Sequence, residues 1–396
     1  MPLGRGPIAI IGGGPAGAVA AARLARAGRE VVLFDEKLAW EKPCGGGVTQ
    51  KALAAWPILR QAEAERNWIR ECELTSPAGR RARFHLDQPV AIFSRLVLNG
   101  LLLEDARRAG AEIVQDHVLE LERGTDRWRL QLKGGVREAG HVMVAAGARN
   151  GFRGQLSRPF SPRDLMATAG YYIPGKHHLM QIVFLPGLHG YMWIFPRADH
   201  LSTGICGSLG GQSTAQLRAL LERDLLKLDL DFTHAQFYSH LLPSLQASTL
   251  GAPVCGNGWA LLGDAAGFVD PITGEGLYYA MRSGELAAQA VLAGRPESYA
   301  ELVRHDFLPE LETAARIAGR FYGGRWMGEP VIERMVQFTA HSPSFRDLMR
   351  DMFTGIQGYV DLRRRLYRSL PRMLAEGLSS VLRLPPIGAG QRADAA

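Results

Sequence analysis

Residues 8–36 read IAIIGGGPAGAVAAARLARAGREVVLFDE, and they set the architecture of the chain. Two apolar runs, Ile8–Ile11 and Val31–Phe34, bracket a segment rich in alanine, the pattern of strand, helix and strand. Gly12, Gly14 and Gly17 stand in G-x-G-x-x-G spacing directly after the first run. In a βαβ dinucleotide site the first glycine permits the tight turn, the second lets backbone approach a pyrophosphate, and the third lets the helix pack closely on the strand. Pro15 and Ala16 begin the helix, whose N-terminus faces the phosphates. Asp35 lies twenty-three residues after Gly12, where a carboxylate accepts hydrogen bonds from both ribose hydroxyls of an adenosine, and Glu36 stands beside it. A 2′-phosphate is repelled there. The fingerprint by itself fits FAD and NAD equally, because both present adenosine diphosphate to it.

Around this unit the composition is that of a globular chain of two or three structural units: 396 residues, 46% hydrophobic and 21% charged. Cys44, Cys72, Cys206 and Cys255 are far apart and form no C-x-x-C, which speaks against a zinc site or disulfide framework and for a reducing compartment. The opening MPLGRGP runs straight into the first strand and no apolar run approaches membrane-spanning length, so neither a signal peptide nor a transmembrane helix is expected. The net charge of +7 is concentrated late: six arginines and one acid, Glu376, lie between Arg363 and Arg383. That is a local basic surface, and no nucleic-acid recognition motif accompanies it.

The fold expected is α/β (α+β overall), a Rossmann-like dinucleotide domain interleaved with an antiparallel β-sheet domain, followed by a helical C-terminal region. Residues 1–55, 95–159 and 251–296 are assigned to the first, 56–94 and 160–250 to the second, and 297–396 to the third. The loop KPCGGGV at 42–48 is too glycine-rich for a helix and approaches a ligand, with Thr49 placed to cap the helix after it. A helix over about 96–109 and strands near 112–114, 118–121, 128–132 and 141–146 continue the first domain. Strands at 179–185, 191–195 and 201–206 and a helix over 214–228 make up the second. The first domain returns with a strand at 259–262 and a helix from about Gly276.

That return carries the motif that separates the cofactors. Gly263-Asp264, then Pro271, Gly274 and Gly276 at the mouth of a helix, resembles the second FAD motif of flavoproteins of the glutathione-reductase and para-hydroxybenzoate-hydroxylase type. The resemblance implies that Asp264 hydrogen-bonds the ribityl chain, that the helix start faces the pyrimidine end of the flavin, that Arg95 contacts the FAD phosphates and that the backbone of Val118 contacts the adenine. A helix N-terminus suits the negative charge a reduced flavin carries at that end.

Taken with KPCGGGV, the runs YMWIFP at 191–196 and DPITGEGLYYAMRSGE at 270–285 resemble the geranylgeranyl reductase family, FAD enzymes that saturate isoprenoid double bonds. The resemblance covers nearly the whole chain. It implies that Cys44, with Gly45 and Gly46, lies near the flavin and that Tyr191, Trp193, Phe195 and Pro196 line a lipid cavity; Cys44 is accordingly the candidate catalytic residue, as proton donor or substrate positioner. It leaves NADPH and a reduced ferredoxin-like protein as alternative electron donors. Three positions depart from the family pattern: Leu188 where archaeal members often carry proline, Ala146-Gly147 where aromatic hydroxylases carry Asp-Gly, and Asn99 where an aspartate is common, a change expected to touch only local capping. The second of these argues against a standard NAD(P)H-using hydroxylase.

On pattern alone, Tyr191, Trp193 and Phe195 share one face of a strand that fits a core as well as a ligand wall. Cys44 reads equally as an inert thiol, Glu275 as a helix-start acid without a chemical role, and His177 and His178 as surface residues. Leu370, Met373, Leu374, Leu378, Val381 and Leu382 form one helical stripe beside Arg363, Arg364, Arg365, Arg368 and Arg372. Such a helix either lies on an anionic bilayer or packs on the protein. The functional expectation is an FAD-dependent reductase of a polyprenyl lipid, cytoplasmic or peripheral on a membrane. A flavin monooxygenase or halogenase on the same scaffold and a non-catalytic FAD- or lipid-binding protein are the alternatives.

Overall fold

The computed structural model describes residues 6–61, 63–246, 249–326 and 328–382, without the side chains of 61 and 377–382. In chain order the opening stretch forms β1 (Ile8–Ile11), α1 (Pro15–Arg26) and β2 (Val31–Phe34). Next come α2 (Gln50–Ala55), two long strands β3 (Arg66–Thr75) and β4 (Arg81–Phe93), α3 (Arg95–Arg108), β5 (Glu112–Val114) and β6 (His141–Val144). The middle of the chain gives β7 (Leu165–Pro174), β8 (Leu179–Val183), β9 (Gly190–Pro196), β10 (His200–Ser208) and β11 (Gln236–Pro243). After β12 (Trp259–Leu261) the chain is mostly helical, with α4 (Leu277–Leu292), α5 (Leu308–Gly323), α6 (Val331–His341), α7 (Pro343–Phe353) and α8 (Tyr359–Leu382).

Five parallel strands in the order β12-β6-β1-β2-β5 form the first sheet, extended at the β12 edge by the antiparallel pair Cys255–Gly256. β1 and β6 are buried at every position, as expected of a sheet covered on both faces. Helices α1 and α4 pack against each other over it, and small residues allow the close approach. The glycine turn follows from steric necessity. Gly12 has φ +109°, and a Cβ there would collide with the Ala145 carbonyl.

The second sheet has eight strands in the order β11-β7-β10-β9-β8-β3-β4 with Gly47–Val48 at its far edge. It is antiparallel except where β8 pairs parallel with β3, a correction to the wholly antiparallel sheet expected. The strand before β8 in this layer is β7, on the far side of the sheet, so β8 reaches β3 without a hairpin to dictate its direction. Strands β7 and β11 were not anticipated. β7 is buried on both faces through most of its length, which erases the alternation by which a half-buried strand is recognised. The C-terminal helices α6 and α7 pack on β4.

Candidate active site

Between the two sheets and the C-terminal helices lies one cavity of about 2130 Å³. At one end are Gly12, Gly14, Pro15, Ala16, Asp35, Glu36 and Val118; in the middle are Cys44, Gly45, Gly46, Arg95, Asp264, Gly274 and Gly276. Tyr191, Trp193 and Phe195 all line it. Gly17, Gly263, Pro271 and Pro196 do not. Gly17 packs against the Gly12 carbonyl, the Gly263 N–H donates to the Ser283 hydroxyl at 2.9 Å, and Pro271 is buried behind the wall. Pro196 is a correction: strand alternation turns it to the face opposite Phe195, and its carbonyl accepts from Asn67 at 3.2 Å.

The dinucleotide end fits FAD. A Cβ on Gly14 would meet nothing within 4 Å, so its backbone is open to a phosphate, and the first turn of α1 has no side-chain cap on its N–H groups. Asp35 is held to the turn it serves: its carboxylate accepts from the N–H groups of Gly13 at 2.6 Å, Lys37 at 2.8 Å and Leu38 at 2.6 Å. Arg95 is buried rather than solvated, 4% exposed, with its guanidinium on the Asn99 Oδ1 at 3.2 and 3.3 Å. Asn99 therefore orients Arg95, which corrects the local capping role expected of it.

The glycine-rich loop is shaped by the aromatic strand. A Cβ on Gly45 would come within 2.6 Å of the Phe195 ring, and Gly46, at φ +83°, lies against the Phe93 carbonyl. Beneath the loop sits Arg197, essentially unexposed, a residue the sequence reading left without a role. Its guanidinium pairs with Glu41, donates to the Cys44 carbonyl at 2.6 Å and stacks over Tyr172. Glu41 in turn accepts from the Ser94 hydroxyl and from the Arg95 N–H at 2.9 Å, so it also caps α3. Burial works to raise the Glu41 carboxyl, and the Arg197 charge with these donors outweighs it, leaving Glu41 below the usual carboxylate range. Ser202 donates a second bond to the Cys44 carbonyl at 2.9 Å, and the Gly46 N–H approaches the Cys44 thiol at 3.3 Å. Cys44 is thus half-buried, unpaired in a disulfide and rigidly presented to the cavity.

Asp264 pairs with Lys42 at 3.1 Å. Burial raises its carboxyl and the lysine more than offsets this, so it stays anionic. His240 shares the pocket; burial and then Lys42 push its imidazole down to about 3, so it is neutral. Lys42 had been read only as part of the loop, and His240 gave no sequence signal. The segment Asp270–Glu275 is gripped by three tyrosines from distant parts of the chain. Tyr191 donates to the Thr273 carbonyl, Tyr322 to the Ile272 carbonyl at 2.5 Å, and Tyr359 to the Asp270 carboxylate at 2.8 Å. The cavity continues past them among α5 to α8 along Phe338, Phe345, Met349 and Met352. Leu370 and Met373 of the C-terminal stripe line it, with Met373 2% exposed, so this part of the stripe packs on the protein. The side chains of Leu378, Val381 and Leu382 and the whole of Arg383 lie outside the described residues. Among the described residues no helix is long and apolar enough to cross a membrane, and no acid, histidine and cysteine cluster is arranged to hold a metal.

The family model for pyridine nucleotide-disulphide oxidoreductases matches residues 6–156. A geranylgeranyl diphosphate reductase of Rhodobacter capsulatus is 29% identical over 329 residues, 78% of this chain and 81% of the relative. A menaquinone reductase of Mycobacterium tuberculosis is 29% identical over 311 residues, 71% of this chain and 75% of the relative. Among solved structures, a geranylgeranyl bacteriochlorophyll reductase-like protein of Thermoplasma acidophilum superposes with a TM-score of 0.77 at 19% identity, covering 95% of this chain and 99% of its own. That likeness speaks to the fold.

Proposed function

From a chain that is an FAD-dependent oxidoreductase related to the geranylgeranyl reductases, we propose an enzyme that saturates carbon–carbon double bonds of a polyprenyl lipid. The observation that carries this reading is the single cavity of about 2130 Å³. It has roughly twice the upper volume of an ordinary one-ligand pocket, about 1,000 Å³. Its polar end suits a dinucleotide, and its aromatic and methionine-lined end suits an apolar chain. FAD in the dinucleotide end supplies a hydride when reduced.

The residues around it do the rest. Arg95 and the α1 N-terminus hold phosphates, Asp35 holds the ribose, and Asp264, kept anionic by Lys42, accepts from a cofactor hydroxyl. Tyr191, Trp193 and Phe195 exclude water and hold the chain against the reacting face, which an unactivated alkene requires because it is a poor hydride acceptor. Cys44, fixed through its carbonyl by Arg197 and Ser202, positions the alkene. NADPH or a ferredoxin-like protein supplies the electrons.

The far end of the cavity supports membrane contact. Trp326, Ile356, Val360 and Tyr367 are all exposed, from 41% to 64%, and all line it, together with the exposed Arg316, Arg320 and Arg363. Apolar rims with arginines suit an anionic bilayer from which a lipid chain can enter. The test is mass spectrometry of prenyl lipids incubated with the protein and chemically reduced FAD, with and without air. Gain of hydrogen pairs under both conditions is expected. Gain of oxygen or halogen only in air would replace this reading with a monooxygenase or halogenase, and bound flavin without turnover would point to a binding protein.

A further inference from the structure

Reduction of an alkene needs a proton as well as a hydride, and the loop Asp270–Glu275 carries two carboxyl groups with unequal surroundings. Asp270 accepts three hydrogen bonds, from the N–H groups of Ile272 at 2.8 Å and Thr273 at 3.2 Å and from the Tyr359 hydroxyl at 2.8 Å. Glu275 receives one among the described residues, from the Thr49 hydroxyl at 3.2 Å. The groups facing Glu275 are Asp270 on its own loop, Lys51 of α2, and Tyr278 and Tyr279 of α4. Lys51 is turned onto the Tyr278 ring, 4.0 Å from its centre, and makes no ion pair with Glu275 among the described residues. Burial raises both carboxyls, and the three donors on Asp270 oppose that rise where Glu275 has one, so Glu275 is the carboxyl of the two that keeps the proton. Its side chain opens on the same cavity as Cys44 and Trp193.

We propose that Glu275 is the proton donor of the reduction, an inference that rests on the prenyl-reductase reading. The alkene π bond is consumed as two C–H bonds form, one with the hydride from the reduced cofactor and one with the Glu275 proton. Two electrons leave the cofactor, which the donor replaces, and Glu275 is left as a carboxylate that water reprotonates. That anion stands one residue before the N-cap of α4, where the helix end favours negative charge. Burial foremost, then the Asp270 charge, pushes the Glu275 carboxyl up to about 7, so the acid form is present at neutral pH and is lost as pH rises past it. This reverses the sequence reading of Glu275 as an acid without a chemical role.

Two measurements on the full chain test it. The first is an infrared pH titration of the protein without substrate, in which wild type shows the carbonyl stretch of a protonated carboxyl that disappears near pH 7, and Glu275→Gln lacks it. Absence of that band in wild type at pH 6 overturns the proposal. The second is single-turnover reduction of a prenyl lipid by pre-reduced FAD-loaded enzyme across pH. Glu275→Gln, which keeps an acceptor for Thr49, is expected to lower the rate on the order of 100-fold and to remove the fall above pH 7, while Cys44→Ser keeps that fall. A Glu275→Gln rate within threefold of wild type, or an unchanged pH limb, overturns it. If wild type reduces no prenyl lipid while the infrared band is present, the functional reading has failed and the donor role falls with it.

Discussion

Replacing Arg197 by methionine removes the buried charge that, together with the Ser202 hydroxyl, ties the glycine-rich loop to the second sheet. Its guanidinium is fully buried, and its partner Glu41 has a side chain 26% exposed. Removing one member of a buried ion pair costs about 3–5 kcal/mol. The lower figure applies here, because Glu41 keeps the Ser94 hydroxyl and the Arg95 N–H as donors. At roughly 2.1 cal/mol/K of unfolding entropy per residue, a loss of about 3 kcal/mol lowers the melting temperature of a 396-residue chain by about 4 °C. The measurement belongs at pH 7. Glu41 is held below its unfolded value, so its contribution is present above the ordinary carboxylate range and is lost only as pH falls. Calorimetry of Arg197→Met, Glu41→Gln and the double variant forms a cycle. The double variant is expected to be more stable than the sum of the singles predicts by at least ~1 kcal/mol, because it leaves no unpaired buried charge. FAD affinity should weaken on the order of tenfold in Arg197→Met as the Cys44 carbonyl keeps only the Ser202 hydroxyl of its two donors, a drop of about 1.4 kcal/mol. A melting temperature within a degree of wild type together with an additive cycle would refute the reasoning.

Three further outcomes are expected. Gly284→Ala puts a Cβ against the Ala16 carbonyl where α4 crosses α1, at a cost of about 3 kcal/mol, visible as a lower melting temperature of the FAD-free protein and as weaker FAD binding. His141 is 2% exposed with neither ring nitrogen partnered among the described residues, and burial foremost pushes its imidazole down to about 4. Its contribution is therefore present above the unfolded value near 6.5 and is lost as pH falls, so urea melts should show wild type losing about 2–3 kcal/mol more than His141→Leu between pH 7.5 and 4.5. Equal slopes would show that His141 is not the neutral buried group described. Trp193→Ala removes an aromatic wall worth about 1.5–3 kcal/mol of apolar contact, so steady-state assays with a prenyl lipid should show KM rising about 10- to 100-fold.

The parts legible beforehand were those written in short-range order. The βαβ unit was readable because Gly12 and Gly17 answer local backbone requirements, and Asp35 follows at the distance one helix and one strand dictate. The face shared by Tyr191, Trp193 and Phe195 followed from strand alternation, as did the displacement of Pro196, had the rule been applied to it. β7 was not legible because a strand buried on both faces has no period, and the parallel pairing of β8 was not because register between distant strands leaves no local mark. Arg197 follows directly on YMWIFP, and a charge closing an apolar strand was a signal available and unused. Glu41 and His240 offered none.

What the sequence determined by itself was therefore the cofactor cradle and the chemistry available to it, since glycine φ angles, strand period and helix ends are consequences of neighbouring residues. What only the tertiary structure decided was the state of the charged groups: Glu41 and Asp264 held anionic, His240 neutral, and Glu275 raised to about 7. Arg197 beside Glu41, and Lys42 beside Asp264 and His240, come from other elements, and the desolvation that sets the balance exists only once those elements have closed around them.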